Sequence, residues 1–508
     1  MITPGFFGLF NAHRGLVATQ NALSTISHNI SNANTPGYSR QRVDLAAAPA
    51  YTPTSRHEVT ANQIGQGPVV EKISRSRDLF LDTQFRLASG KLGMNTDMRD
   101  ILAQLEGIMN EPSTNSLNNT LQTLFDSAQE LSLHPESSAT RTNFIQQSMD
   151  LVSIVQLQAT QLYDLRKNLV GDALVPTSFN TSQLAINVSE VNSKLSAIAS
   201  LNSNIVTIKA SGAEPNDLLD QRDKLLDDLS KLVDIKITNY DNGQLDLSIG
   251  GENMVLGGRQ VDSLEVIQNP GPAPDPADVP SLVQTVTSGV ILNDATGSEI
   301  TGGKIKGILD MGGNDPGLST VQGILGKLNT LVDTIATEIN NLQAAGRDQN
   351  GNLGPPDLFL QNAAINPGQP LNLFHWEINP AIVNDPSLIA AAIDDPTATG
   401  GFAGVGDGRN ATAIAQLRDQ SFAALGTSFV DYLNGTISKL SIDSQTYQNG
   451  SNIQENLTQT IDLRRQSLSG VNVDEETIDL LRFQRSFEAT SKAIKVFDEV
   501  IQSIIGMV

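Results

Sequence analysis

Both ends of the chain carry the same hydrophobic spacing, and this constrains the fold more than any other feature. Near the start, Leu9, Ala12, Leu16, Thr19, Leu23, Ile26, Ile30 and Ala33 recur at intervals that alternate between three and four; near the end, Leu480, Phe483, Phe487, Thr490, Ile494, Phe497, Ile501, Ile504 and Val508 do the same. Such a heptad seam is stable only against another helix. The first seam stops at Thr35-Pro36-Gly37, because the residue before a proline is driven out of the helical region, so the helix is expected to end near Asn34. The second is predicted as one helix over 473–505, about 50 Å long. Asn472 with Glu475 reads as its capping box, and Asp474 and Glu476 suit the positive end of the helix. Two matching seams at opposite ends of a chain can lie side by side as one coiled-coil unit, with everything else looped out between them.

Charge supports that pairing. Residues 1–43 hold Arg14, Arg40 and Arg42 and no acid, whereas 473–508 hold seven acids and four bases. The N-terminal arm is a weak helix alone, with Gly15, Asn21, Ser24, Thr25, Ser27 and Asn29 inside it. The arms are therefore expected to be mobile in an isolated chain and to fold when neighbouring subunits cover a second apolar flank.

Inside the arms, period-3.6 patterning predicts helices over about 78–110, 113–133, 138–170, 181–209, 216–233, 317–345 and 410–468. The pattern changes to alternation at Ile235–Tyr240 and Leu245–Ile249 around Asp241-Asn242-Gly243, a hairpin signature. Strand-like runs recur at 261–268 and 282–292, flanking a Pro-rich loop at 269–280. The expected fold class is mainly α with a β-rich insertion: paired terminal helices forming a coiled-coil-like inner domain (1–35 with 472–508), a helical-bundle middle domain (36–233 with 410–471), a β-rich insertion (234–312), a helix (313–345), and an irregular Gly/Pro/Asn-rich insertion (346–409). At 508 residues the chain is long enough for several cores.

Composition excludes whole classes of function. With 33 Lys+Arg against 55 Asp+Glu, a net charge of −22 opposes binding to nucleic acid or to an anionic membrane. The absence of cysteine removes disulfides, thiolate metal sites and thiol nucleophiles. No run approaches the length of a membrane span, and Met1–Phe10 does not read as a secretory signal. The five histidines contain no i, i+4 pair and no zinc-protease motif. Asp348-x-Asn350-x-Asn352 resembles the opening of a calcium loop, but Leu353 stands where glycine is required and Phe359 where the bidentate glutamate belongs. Gly404-x-Gly406-x-Gly408 misses the dinucleotide fingerprint, and paired acids such as Asp227-Asp228 and Asp394-Asp395 read as solvated faces. No cofactor, metal or catalytic residue is expected; an enzyme inserted at 346–408 around His375 and Trp376 is the rival reading.

The segment Ile26-Ser27-His28-Asn29-Ile30-Ser31-Asn32-Ala33-Asn34-Thr35-Pro36-Gly37-Tyr38 is similar to the N-terminal signature of bacterial flagellar rod, hook and hook-associated proteins. Ser39-Arg40-Gln41 after it and Phe7-Gly8-Leu9-Phe10-Asn11 before it resemble the hook-associated proteins of the FlgK type. Ser469-Gly470-Val471-Asn472-Val473-Asp474-Glu475-Glu476 and Leu480-Leu481-Arg482-Phe483-Gln484-Arg485 resemble that family's closing motif, and Pro215–Val233 and Gly302–Asp310 also fit. The signature residues carried over are Asn29, Asn32, Asn34, Thr35, Pro36, Gly37, Tyr38, Ser39, Arg40 and Gln41.

The resemblance implies a structural, non-enzymatic component at the junction of hook and filament, a ring-like polymer of copies of the chain. Implied partners are the chain itself, the hook protein, the next hook-associated protein, an export chaperone and the flagellar type III export apparatus, with no membrane insertion. Implied localisation is the extracellular flagellum. Leu9, Leu16, Leu23, Ile26, Ile30, Leu480, Phe483, Phe487, Ile494, Phe497, Ile501 and Ile504 are the expected polymer-packing residues. Leu480, Phe483, Phe487, Ile494, Phe497 and Ile501 are also the expected chaperone face. The alternative is a hook or distal-rod protein that shares the terminal signature.

Overall fold

The computed structural model describes residues 7–50, 65–109, 116–171, 180–268, 281–292, 299–314, 320–362, 364 and 372–506. Val508, the loop at 269–280 and the side chain of Ile504 lie outside the described residues. Helix α1 (Phe7–Asn32) opens the chain and is followed by the strands β1 (Gln41–Ala47) and β2 (Pro68–Arg75). Five helices come next: α2 (Leu79–Met109), α3 (Leu117–Leu133), α4 (Ser138–Val170), α5 (Gln183–Ala210) and α6 (Asn216–Leu232). The starts of α3, α4 and α5 follow from serine capping. Ser116 accepts from the Asn119 amide and Ser182 from the Ala185 amide, each satisfying an otherwise orphaned N–H.

The predicted hairpin is present as β3 (Lys236–Asn239) and β4 (Leu245–Ile249), antiparallel with Ile237 opposite Leu247. Gly243, at φ 85°, supplies the left-handed turn residue between them. β5 (Glu252–Leu256) and β6 (Arg259–Gln260) complete a sheet of order β3-β4-β5-β6, and β7 (Leu264–Gln268) pairs with β8 (Ser281–Thr285). The strand-like runs at 261–268 and 282–292 are shorter than expected, because a turn at 286–288 interrupts the second.

α7 (Gly303–Leu309) and α8 (Val321–Ala345) return the chain to the helical body. The stretch 346–409, although irregular, builds two small antiparallel pairs: β9 (Gly346–Arg347) with a later strand β12 (Ala392–Ile393), and β10 (Phe359–Gln361) with β11 (Trp376–Ile378). A short helix α9 (Pro380–Asn384) lies between them. Phe359, Phe374, Trp376 and Ile382 are buried in the same continuous core as Met98 of α2, Phe125 of α3, Phe144 of α4 and Leu331 of α8.

The expected helix over 410–468 is two helices, α10 (Arg409–Gln416) and α11 (Phe429–Ser469). Between them the Phe422 N–H donates to the Thr427 carbonyl, Gly426 adopts φ 70°, and Ser428 restarts the helix by accepting from the Asp431 amide. α12 (Val473–Ile505) runs over the predicted span. Asn472 caps it at 3.0 Å from the Asp474 amide, but no reciprocal bond from Glu475 closes the capping box; that carboxylate turns to Arg40 instead, at 3.1 Å.

α1 and α12 contribute nothing to the continuous core. They pair with each other antiparallel: a Cβ at Gly8 would run into the Phe497 ring, one at Gly15 would come within 3.3 Å of the Thr490 methyl, and Asn29 bonds Glu476. Gly8, Gly15, Ala22 and Asn29 thus form a row at heptad spacing that faces α12. Two of the residues read from sequence as helix weakeners, Gly15 and Asn29, stand in this row, and Gly15 permits the close approach. α1 is also flanked by the β1–β2 ribbon, which the sequence reading did not anticipate; its antiparallel register puts Val43 opposite Ile73.

Candidate functional site: the joint at the root of the terminal helices

The sequence signature, the start of α12 and one face of α6 converge where the terminal pair meets the helical body. Pro36 and Gly37, the latter at φ 85°, reverse the chain after α1 and bring Tyr38–Gln41 back against Asn29. Asn29 then uses its whole amide. Its Oδ1 accepts from the Gln41 amide at 3.0 Å and from the Tyr38 hydroxyl at 2.8 Å, while Nδ2 donates to the Gln41 carbonyl at 2.8 Å and to Glu476 at 2.9 Å. Asn32 and Thr35 tie the turn locally, through Nδ2 to the His28 carbonyl and Oγ1 to Asn32 Oδ1. Asn34 and Pro36 are exposed.

The next residues fasten this turn to both other segments. Ser39 gives its backbone N–H and its hydroxyl to Asp220 at 2.9 and 2.7 Å. Arg40 donates to Glu476 at 2.7 Å and Glu475 at 3.1 Å, lies 3.7 Å from Asp479, and sends its backbone N–H to the Ser469 carbonyl. Gln41 Nε2 reaches Asp217 at 2.8 Å, which also sits 3.2 Å from His28. Burial, then Asp217, Asp220 and Glu476, push the Tyr38 phenol well above its ordinary pKa, so it acts as a fixed donor.

Behind the turn lies a buried lattice of four arginines and four aspartates. Arg75 bridges Asp220 and Asp223 at 2.7 and 2.9 Å; Arg77 binds Asp82 at 2.7 Å; Arg86 binds Asp227 at 2.7 Å and Asp223 at 3.3 Å; Arg465 reaches Asp82 at 2.9 Å and Asp227 at 2.6 Å. Burial alone would raise the Asp223 carboxyl, but Arg77, Arg75 and Arg86 outweigh it and hold it below the ordinary value of 3.8. Burial likewise opposes the Arg77 charge, and Asp223, Asp82 and Asp227 prevail. Arg465 also lies over the Phe85 ring, 4.2 Å from its centre. α2, α6, α11 and the end of β2 are thereby cross-linked at one point.

Of the signature residues, Asn29, Tyr38, Ser39, Arg40 and Gln41 meet here, and the sequence reading named them. It missed Asp217, Asp220, Asp223, Glu476 and the four arginines as their partners. A signal was present: Asn216, Asp220, Asp223 and Asp227 form a polar row at 3–4 spacing on α6, on a face that also carries buried leucines. Of the named seam residues, Ile26 is fully buried, and Leu9, Leu16, Leu23, Ile30, Leu480, Phe483, Phe487, Ile494, Phe497 and Ile501 are half-buried. The buried residues of α1 are Ala18, Thr19, Ala22, Thr25, Ile26 and Asn29, because the helix is gripped from two sides by α12 and the β1–β2 ribbon.

The arrangement is suited to holding parts in place. Apart from Asp217, held by Gln41 and His28, the carboxylates named here are engaged by arginines. Among the described residues no group of three or more His, Asp or Glu is placed to hold a metal, and Asp348 spends both carboxylate oxygens on Asn352. No helix among the described residues is long and apolar enough to cross a membrane.

Three family models match the chain. The helical domain of flagellar hook-associated protein FlgK covers residues 102–359, the flagella basal body rod protein 9–38, and the C-terminal part of flagellar basal body rod FlgEFG proteins 464–507. The last two coincide with the segments that meet at the joint. Flagellar hook-associated protein 1 of Bacillus subtilis is 28% identical, covering 99% of this chain and 99% of its own length. Its counterpart from Escherichia coli is 26% identical over 98% and 99%. The solved structure of the flagellar hook junction protein FlgK from Burkholderia pseudomallei shares the fold, with a TM-score of 0.59 at 16% identity, covering 76% of this chain and 100% of that one.

Proposed function

Because the chain belongs to the FlgK family of flagellar hook-associated proteins, and is therefore a structural component of the flagellum, we propose that it forms the junction between hook and filament. In this reading copies of the chain assemble into a short ring through their terminal helices, with the hook protein on one side and the next hook-associated protein on the other. The subunits leave the cell unfolded through the flagellar type III apparatus, escorted by a chaperone.

The observation that carries the reading is how little pairing with α1 covers α12. Glu476 is the one fully buried residue of α12 among those described, and the seam from Leu480 to Ile501 stays half-open. A second stripe on the opposite side is bare, with Ile478 66% and Val496 58% exposed. A helix that is apolar on two sides and covered on part of one needs further helices around it. Neighbouring copies of the same pair supply them in a tube, and before assembly a chaperone can cover Leu480, Phe483, Phe487, Ile494, Phe497 and Ile501.

A deletion strain viewed by electron microscopy tests the junction role. Hooks that lack filaments, with flagellin lost to the medium, are expected; filaments of normal length on the deletion strain would overturn it.

A further inference from the structure

We propose that Asp97 of α2 is an acid-set latch at the neck of the β-rich insertion: with its carboxyl protonated, α2 holds α7 more firmly than with the carboxyl charged.

The neck is where the insertion leaves and re-enters the helical body. α6 ends at Leu232, β3 begins at Lys236, and the chain returns through Gly302 and Gly303 into α7. The two ends touch, since a Cβ at Gly303, which takes φ 84°, would collide with the Leu232–Val233 backbone. α2 lies across both. A Cβ at Gly93 would strike the Lys231 carbonyl, and one at Gly307 would come 3.1 Å from the Met94 carbonyl and 3.3 Å from Asp97 Cβ. Three backbones thus meet at glycine contacts, and Asp97 is set directly over one of them.

Its carboxylate is left without donors in that place. The side chain is 18% exposed and accepts no hydrogen bond from the described residues; Lys304 Nζ, the cation that acts on it, stands 3.9 Å away on a side chain that is 43% exposed. Asp262, by contrast, receives the Ser263, Thr287 and Ser288 amides and the Ser288 hydroxyl. A carboxylate withdrawn from water and given no donors is costly to charge. Burial, against Lys304 and together with Asp100, pushes the Asp97 carboxyl up from 3.8 to about 6.

The other charges nearby are spent elsewhere. Asp100 is paired with Arg99 at 2.7 Å, Lys231 of α6 with Asp228 at 3.2 Å, and Lys306 of α7 with Glu299 and Asp310 at 3.0 Å each. α11 passes this level with the uncharged Gly450 and Ser451, beside Asn95 and Thr96, and α4 bonds α2 at Met109, about three turns away.

Linkage sets the direction. The folded chain holds this proton more tightly than the unfolded chain does, so the gain in stability is complete below 3.8 and is lost as pH rises through about 6. Asp223 in the joint, held low by its arginines, runs the opposite way. Mild acid therefore tightens the neck.

Hydrogen exchange on the full chain tests the latch. Protection of 303–309, normalised to that of α3, should be about tenfold higher at pH 5 than at pH 7.5, and Asp97→Asn should keep the higher value at both. Lys304→Gln removes the offsetting cation and should move the transition to higher pH. Circular dichroism checks that both variants fold. Wild-type protection of 303–309 that does not change with pH, or a difference between wild type and Asp97→Asn that is the same at pH 5 and 7.5, would overturn the latch. So would lower protection in Asp97→Asn at pH 7.5, which would show that the charged carboxylate holds α7 through Lys304.

Discussion

Asn29 of the first helix and Glu476 of the last, 447 positions apart, share a buried hydrogen bond of 2.9 Å. The same asparagine closes the turn through Tyr38 and Gln41, and the same glutamate receives Arg40. One side chain therefore ties the closure of the signature turn to the first turn of α12. Asn29→Ala would leave the Glu476 carboxylate and the Gln41 amide short of partners in a buried place, at a cost of about 1–3 kcal/mol. The expected result is faster hydrogen exchange over both 29–41 and 473–480, with the core helices α3 and α4 unchanged. Protection lost on one segment alone would show that the two are not coupled through this residue.

The arginine–aspartate lattice makes the joint sensitive to acid. The folded pKa of Asp223 lies below its unfolded value near 3.8, so its contribution to stability is complete above that value and is lost as pH falls through the folded pKa. Urea unfolding of wild type and Asp223→Asn should therefore differ at pH 7, and the gap should narrow steadily below about pH 3.8. A gap of constant size down to the acid limit of the experiment would contradict the assignment of the charge.

Gly15 offers a case in which local propensity and packing oppose each other. Replacing a helical glycine with leucine favours an isolated helix by up to about 1 kcal/mol. Here the added side chain would start 3.3 Å from the Thr490 methyl, on the side where α12 passes. A peptide of residues 7–32 carrying Gly15→Leu should gain helicity by circular dichroism, while the full chain with the same change should show weaker protection of 484–500. If both gained, the close approach of the two helices at this level would be refuted.

The legibility of the fold follows the same division. α12 was readable to its boundaries because an unbroken heptad and the Asn472 cap are local signals. The β1–β2 ribbon was not, since Arg42-Val43-Asp44-Leu45 alternates for too few residues to stand out beside a helical signature. At the joint, Asn29 and Tyr38–Gln41 were visible as a motif, but their partners were not. Asp220 and Asp223 are ordinary acids on a charged helix until Ser39, Arg75 and Arg77 are brought to them from well over a hundred residues away. Gly15 in α1 was legible as a weak point and opaque as a contact, because its meaning depends on Thr490.

The half-covered seam of α12 gives the most direct test of handover from chaperone to polymer. Phe487 and Ile494 lie one heptad apart on the side facing α1, and both remain partly exposed in the pair. Phe487→Asp with Ile494→Asp puts two charges where any covering helix must bury them, at a cost of several kcal/mol. Neither residue belongs to the continuous core, so the body should unfold at the wild-type temperature by calorimetry. Wild-type chain should retain the chaperone on co-purification and the double variant should lose it; equal retention would show that the chaperone grips another surface, and a lowered melting temperature of the body would show that the terminal pair is not separable from it.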